Sequence, residues 1–288
     1  MQERDYLPPG VEITYYWKLT DAAGHSLKTE PVSFVYEDDR FSWHTLSSDK
    51  LSLYWYRGDE DFGQALFQRA VESLAETEKT IGVEVEQPIK IYIYGTQQDL
   101  LDAMAEGARE WTGGVTYDQV GIILIAVSPG NLDWGLRAVV HELTHAVVGQ
   151  AMRPPFGGLP TWLNEGLAYH AEGEMEPYDR QLLKRAIREN KLISVRALNS
   201  SFPTDPDLAA LSYAESYSLV DFILTEYGEE TMSRLIEVFS RGAHYDDGLR
   251  EVFGFDADGL EDAWREYIGA PPRLTVQEEA TPTATPEV

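Results

Sequence analysis

The segment RAVVHELTHAVVGQ (residues 137–150) constrains this chain more than any other. It reads as one α-helix, and the AVV triplets on either side of its centre mark it for burial in a core. Yet His141, Glu142 and His145 stand in its middle. Buried polar groups without partners cost about 1–3 kcal/mol each. The trio therefore needs a cleft or an ion. His141 and His145 are four residues apart, so both imidazoles project from one helix face about a turn from each other. Two nitrogens placed in that way reach one zinc ion at about 2.0–2.1 Å. Glu142, about 100° further round the helix, can hang beside the metal and act on a water molecule. The plainer alternative is a helix with two partly exposed histidines, and the apolar flanks argue against it.

Composition narrows the chemistry. The sequence has no cysteine, which removes disulfides, thiolate ligands and cysteine nucleophiles, so any zinc must be held by histidine and carboxylate. A net charge of −26 argues against nucleic acid and anionic membrane surfaces as partners, because binding phosphate needs a basic face; solubility is the plainer reading of the charge. The longest apolar run, VGIILIAV (120–127), falls far short of the roughly 18 residues that a membrane span needs. MQERDYLPPG has no apolar centre of the kind a signal peptide carries, consistent with a cytosolic protein or a mature fragment. The C-terminal PPRLTVQEEATPTATPEV (271–288) is rich in Pro, Thr and Glu and has no apolar stripe to dock. It is expected to be a disordered tail of the stalk type found outside cells.

Residues 11–36 alternate as a β-hairpin around DAAGHS, read either as the closing strands of a β-sandwich or as a flap on the next domain. Strands are predicted at 51–56 and 89–94, and helices at 59–82 and 96–107, the latter capped by Thr96. GGVTY and VGIILIAV form a second hairpin, and the helix of the histidines follows with Asn131 or Asp133 as its cap. From Pro160 the chain is helical: PTWLNEGLAYHAEG, PYDRQLLKRAIREN, SYAESYSLVDFILTEYG, EETMSRLIEVFSRG and ADGLEDAWREYIG. The expected fold is α+β. An N-terminal β appendage (1–45) precedes a catalytic domain (46–270) with a mixed sheet, the HExxH helix and a mostly helical C-terminal lobe, then the tail (271–288).

A catalytic zinc takes three protein ligands and keeps one position open. Candidates for the third ligand are Glu165, His170, Glu172 and Glu174, of which Glu165 lies about one turn into a helix that Trp162 and Leu163 can anchor.

HELTH at 141–145, nineteen intervening residues, and WLNEGLA at 162–168 resemble the gluzincin metallopeptidases. Within them the chain is most similar to the bacterial peptidase-MA-like family of secreted or anchored metallohydrolases, over roughly residues 50–270. The resemblance implies that His141, His145 and Glu165 bind Zn²⁺ and that Glu142 is the general base. YAESYSLVDFILTEYG (213–228) is similar to the aminopeptidase segment whose tyrosine stabilises the oxyanion. That similarity implies this role for Tyr213, with Tyr217 as the reserve. Two features depart from the pattern. There is no G-x-M-E-N motif, TGGVTYD (112–118) occupying about its place, so an endopeptidase is expected rather than an aminopeptidase. The acidic residue that several gluzincins carry four after the ligand glutamate, to orient a ligand histidine, is Tyr169 here.

The expected activity is peptide-bond hydrolysis by metal-activated water. GGVTY would serve as an edge strand, with Gly113, Gly114 and Val115 pairing with an extended substrate. The other reading is a non-catalytic protein whose zinc site is structural; a closed site of that kind would need a fourth ligand, with His170 the nearest histidine. A peptide or protein partner, a monomeric state and an extracellular or cell-surface location in bacteria complete the expectations.

Overall fold

A computed structural model describes residues 6–104, 113–152 and 158–273. The end of the helix expected over 96–107, and residues 274–288 of the expected tail, lie outside them. The chain opens with β1 (Glu12–Tyr15), β2 (Lys18–Thr20), β3 (Ser26–Lys28) and β4 (Val32–Val35). β1 pairs with β4 and β2 with β3, both antiparallel, so the four pieces are one long hairpin. Its turn is set by Asp21, whose carboxylate accepts from the backbone N–H groups of Ala23 and His25.

β5 (His44–Ser47) and β6 (Leu51–Trp55) follow, then α1 (Glu60–Ile81), β7 (Ile89–Tyr94), α2 (Gln97–Ala103), β8 (Gly114–Tyr117) and β9 (Ile122–Ala126). The five strands β5 to β9 make one mixed sheet in the order β5-β6-β7-β9-β8. β6, β7 and β9 run parallel in its middle, and β5 and β8 are antiparallel edges. The expected boundary at residue 45 therefore falls inside a strand. β5 carries no signal in the sequence, because HTLS is too short and too polar to stand out as a strand by alternation.

Burial on both faces explains the unbroken apolar run of β9. Ile123 and Ile125 join Leu51, Leu53, Ile91 and Ile93 against α1 and the helices beyond. Ile122 and Leu124 join Tyr92, Tyr94 and Leu100 on the other face. That second face is covered by the segment between the hairpin and β5, where Phe41 stacks on Tyr56 at 3.9 Å and Trp43 meets Tyr92 and Tyr94 edge-on. Asp38 accepts from the buried Tyr94 hydroxyl at 3.0 Å and is clamped by Arg40. Only the hairpin proper thus stands away from the body. Its strands are exposed on both faces, with Trp17 and Leu27 more than half exposed.

The remaining elements are helices: α3 (Leu132–Ala151), α4 (Thr161–Ala171), α5 (Pro177–Glu189), α6 (Pro206–Ser240), α7 (Tyr245–Phe253) and α8 (Ala257–Tyr267). The expected fold class, a mixed sheet with helices followed by a helical lobe, is what the structure has. Three details differ. Asn131 precedes α3 but makes no side-chain cap; a short 3₁₀ turn over Pro129–Asn131 leads the chain in instead. α6 starts at Pro206, not at the apolar run near residue 212, because Asp205 caps it by accepting from Leu208 N–H and Pro206 suits the first turn. Gly228 (φ 81°, ψ 171°) breaks the helical path of α6, at the point where the two helical segments were expected to part. α7, unanticipated, is a short amphipathic helix whose interior Gly248 packs within a Cβ's breadth of Phe239.

Candidate metal centre

The apolar flanks of α3 decide which way its polar face points. Val139, Val140, Leu143, Ala146 and Val147 are fully buried, and α3 packs chiefly on α1. His141, Glu142 and His145 are left partly open on the opposite side, towards a cleft. α4 brings Glu165 to them. Trp162 and Leu163 are buried at its start, with the Trp162 indole N–H donating to the Tyr245 hydroxyl. α4 also lies very close to α6: a Cβ on Gly166 would stand 2.5 Å from the Ser216 carbonyl oxygen. Glycine at 166 permits that approach, and the approach places Glu165 beside Tyr213 of α6.

The Nε2 atoms of His141 and His145 each stand 3.6 Å from Glu165 Oε2. All three ligand atoms lie within 4.8 Å of one another, and this is the only such group among the described residues. Ligands about 2.0–2.2 Å from a tetrahedral ion are spaced about 3.3–3.6 Å apart, so the set fits a zinc ion. Electrostatics agrees. Burial opposes charge on His141, but Glu165 and Glu172 outweigh it and push its pKa up to about 10. Burial likewise opposes charge on Glu165, and the two histidines outweigh it, holding the carboxyl well below the usual carboxylate range. The pocket is organised around positive charge, in the place where a cation would lie.

The ring orientations are fixed from behind. His141 Nδ1–H donates to Glu172 Oε1 at 2.8 Å, and Arg137 holds Glu172 through its Nε at 2.9 Å while also pairing with Glu176. His145 Nδ1–H donates to Asn164 Oδ1 at 3.3 Å. Both rings therefore turn Nε2 to the centre, the arrangement by which outer partners fix metal-binding imidazoles. Tyr169, at the position where several gluzincins carry an orienting acid, does not take that part. Its hydroxyl donates to Asp179 at 2.6 Å and accepts from Glu176 N–H. Glu172 lies seven residues after Glu165, two turns along the same face, and that spacing was its signal in the sequence. Arg137, one turn before His141, and Asn164, beside Glu165, gave none.

The two tyrosines part company. Tyr213 lines the same cleft as His141 and Glu142, its ring centre 6.5 Å from that of His141. Burial, then the charges of Glu165 and Glu142, raise its pKa far above the ordinary value, so the hydroxyl keeps its proton. It stands about two turns into α6, not in the first turn. Tyr217, one turn on, packs against Tyr169 and His170 instead. His170 faces Asp221 at 3.7 Å and does not join His141, His145 and Glu165.

The cleft runs along the free edge of β8 and is divided at Glu142. On one side a space of about 930 Å³ is bounded by Gly113, Gly114, Trp134, His141 and Tyr213. On the other a space of about 550 Å³ is bounded by Thr116, His145, Asn164 and Glu165. Gly113 and Gly114 border the cleft. The Val115 side chain does not, because strand alternation turns it into the second core with Tyr117.

Two helix-borne histidines, a glutamate from the next helix and a second glutamate beside the first histidine are gathered as in a gluzincin-type centre, on an α+β scaffold. The chain belongs to the Peptidase MA superfamily, whose family model matches residues 69–270. No curated protein matches it in sequence. Among solved structures it is similar to a mutant of a two-domain M1 zinc metallopeptidase bound to L-arginine (TM-score 0.46, 13% identity, 92% of this chain covered). It is also similar to an M1 zinc metallopeptidase from Deinococcus radiodurans (TM-score 0.43, 14% identity, 95% covered). The chain spans 63% and 64% of the length of those two structures.

Proposed function

We propose that this chain is a zinc-dependent endopeptidase. The observation that carries the reading is the convergence of His141 Nε2, His145 Nε2 and Glu165 Oε2 at one point, with Glu142 and Tyr213 on the open side. Zinc held by these three residues supplies Lewis-acid polarisation of a scissile carbonyl and lowers the pKa of water towards about 7. The chain's own groups do the rest. Glu142 takes the proton of the attacking water and returns it to the leaving amine. Tyr213, kept protonated by its surroundings, donates to the oxyanion as it forms. Glu172 and Asn164 keep the imidazoles in register throughout.

Cleavage within a chain rather than at its amino end is supported by the cleft, which extends to both sides of Glu142. A closed structural site is disfavoured because no fourth His, Asp or Glu joins the ligand set among the described residues. An extracellular or cell-surface location in bacteria is proposed on the Thr-Pro composition of the C-terminal segment and the family resemblance.

The test is zinc content after purification without chelator, together with cleavage of an unstructured protein and of a short amino-terminal dye amide. Chelator is expected to abolish cleavage of the protein, and the amide should resist. Glu142→Gln is expected to keep zinc and lose nearly all turnover, since an amide cannot accept the proton. A zinc-free wild type, or a Glu142→Gln variant near full activity, would end the reading.

A further inference from the structure

Strand β8 meets the base as well as bordering the cleft. Positions 114 and 116 share its inner face, and both are directed at Glu142. At 114 a Cβ would stand 2.7 Å from Glu142 Oε1 and 2.9 Å from Glu142 Cγ, so only glycine lets the carboxylate lie against the strand. At 116 the threonine hydroxyl lies 2.7 Å from Glu142 Oε2 and 3.0 Å from the Glu142 carbonyl oxygen. We infer that Thr116 is a positioning residue for Glu142, an inference that rests on Glu142 being the general base.

The physical reason is conformational. A glutamate side chain has three rotatable bonds, and one on the open face of a helix samples several orientations. A hydrogen bond from a neutral hydroxyl to an ionised carboxylate is shorter and stronger than one between neutral groups. Here it ties Oε2 to the strand and leaves Oε1, above the Cβ-free surface of Gly114, for the water side of the cleft. The second neighbour gives the contact persistence. When the carboxyl carries the proton it has taken from water, the Thr116 hydroxyl can turn to donate to the Glu142 carbonyl and accept from the carboxyl. The contact therefore survives both halves of the proton shuttle. Because Thr116 belongs to the edge strand beside the cleft, strand and base keep one fixed relation, and an extended peptide pairing with β8 is aligned to the base by the same element.

The test compares Thr116→Val, which keeps the β-branched shape without the hydroxyl, with Thr116→Ser, which keeps the hydroxyl. In zinc-loaded protein T116V is expected to retain zinc, melting temperature and KM while kcat falls about 10- to 100-fold, the scale of a misplaced catalytic group. T116S is expected to recover most of the loss. A crystal structure of T116V should show the Glu142 carboxylate turned away from β8. An unchanged kcat in T116V overturns the inference, as does a raised KM at constant kcat, which would make Thr116 a substrate contact. Loss of zinc in T116V also overturns it, by placing Thr116 in support of the helix. A wild type without zinc-dependent cleavage would fell the peptidase reading alone, and the Glu142 orientation in the T116V crystal would still decide the positioning claim.

Discussion

Tyr213 and Tyr217 lie one turn apart on the same helix and differ in everything that surrounds them. Tyr213 is half-buried, lines the cleft and lies near the carboxylates of Glu165 and Glu142, while Tyr217 packs on Tyr169 and His170. Tyr213→Phe is expected to lower kcat by about 10²–10³, the range for losing one oxyanion donor, with KM and stability nearly unchanged because the ring remains. Tyr217→Phe should leave kcat within a few-fold of wild type. A silent Tyr213→Phe beside a crippled, well-folded Tyr217→Phe would reverse the assignment. Glu215, two residues from Tyr213, is a residue of another kind. It is fully buried, one carboxyl oxygen accepts from Ile193 N–H at 3.1 Å, and the other has no hydrogen-bond partner among the described residues. Burial raises its pKa well above the ordinary value, against the weaker pull of Ile193 N–H and Arg265. A carboxyl with a raised folded-state pKa contributes stability that is full below about pH 4.5 and is lost as pH rises towards the folded value. Glu215→Gln, which cannot ionise, should therefore gain on wild type as pH rises from 5 to 8. Each pH unit short of the folded pKa is worth about 1.4 kcal/mol, on the order of 2–4 °C in Tm. A Tm difference between the two proteins that stays flat with pH would show that Glu215 ionises freely.

Between elements, the α4–α6 contact is the one on which the site depends most. α4 carries Glu165, α6 carries Tyr213, and they touch where Gly166 meets the Ser216 carbonyl and the Val220 side chain. The obstacle to a side chain at 166 is backbone, which cannot swing aside as a flexible side chain would. Gly166→Ala should push the helices apart, at a cost of about 1–3 kcal/mol for overpacking, and shift Glu165 away from both histidines. Circular dichroism melting and zinc titration check this together: a lower Tm with a zinc affinity weakened at least about 10-fold is expected. An alanine variant equal to wild type in both would mean that the two helices are free to separate.

For the molecule as a whole, the amino-terminal region has two parts with different mechanical meaning. Val11 and Tyr36 are joined through the Tyr36 N–H to the Val11 carbonyl at 2.8 Å, so the hairpin between them leaves and re-enters the body at one point. Excising residues 12–35 with a short linker should leave the Tm within a few degrees of wild type. Removing residues 1–43 also strips Phe41 and Trp43 from the aromatic face of the sheet, together with the Asp38–Arg40 clamp on Tyr94. Loss of a buried Phe or Trp costs about 3–5 kcal/mol, so that truncation should lower the Tm by about 10 °C or more. Equal melting of the two truncations would place the segment over 36–43 outside the core.

The sequence alone determined the elements whose signal is local. Spacing in HELTH, the apolar flanks of α3, the Thr96 cap and the apolar run of β9 each depend on residues within a turn or a strand of one another. Glu165 could be singled out because a motif surrounds it. What tertiary structure decided is which distant side chains converge. Glu172 rather than Tyr169 orients His141, Thr116 reaches Glu142 from a strand 26 residues earlier, and the two tyrosines of one helix meet different neighbours. Those contacts depend on how far α4, α6 and β8 are allowed to approach α3. That distance is set by glycines at 114 and 166 whose role is the absence of a side chain, and an absence becomes readable only when the surface it admits is in place.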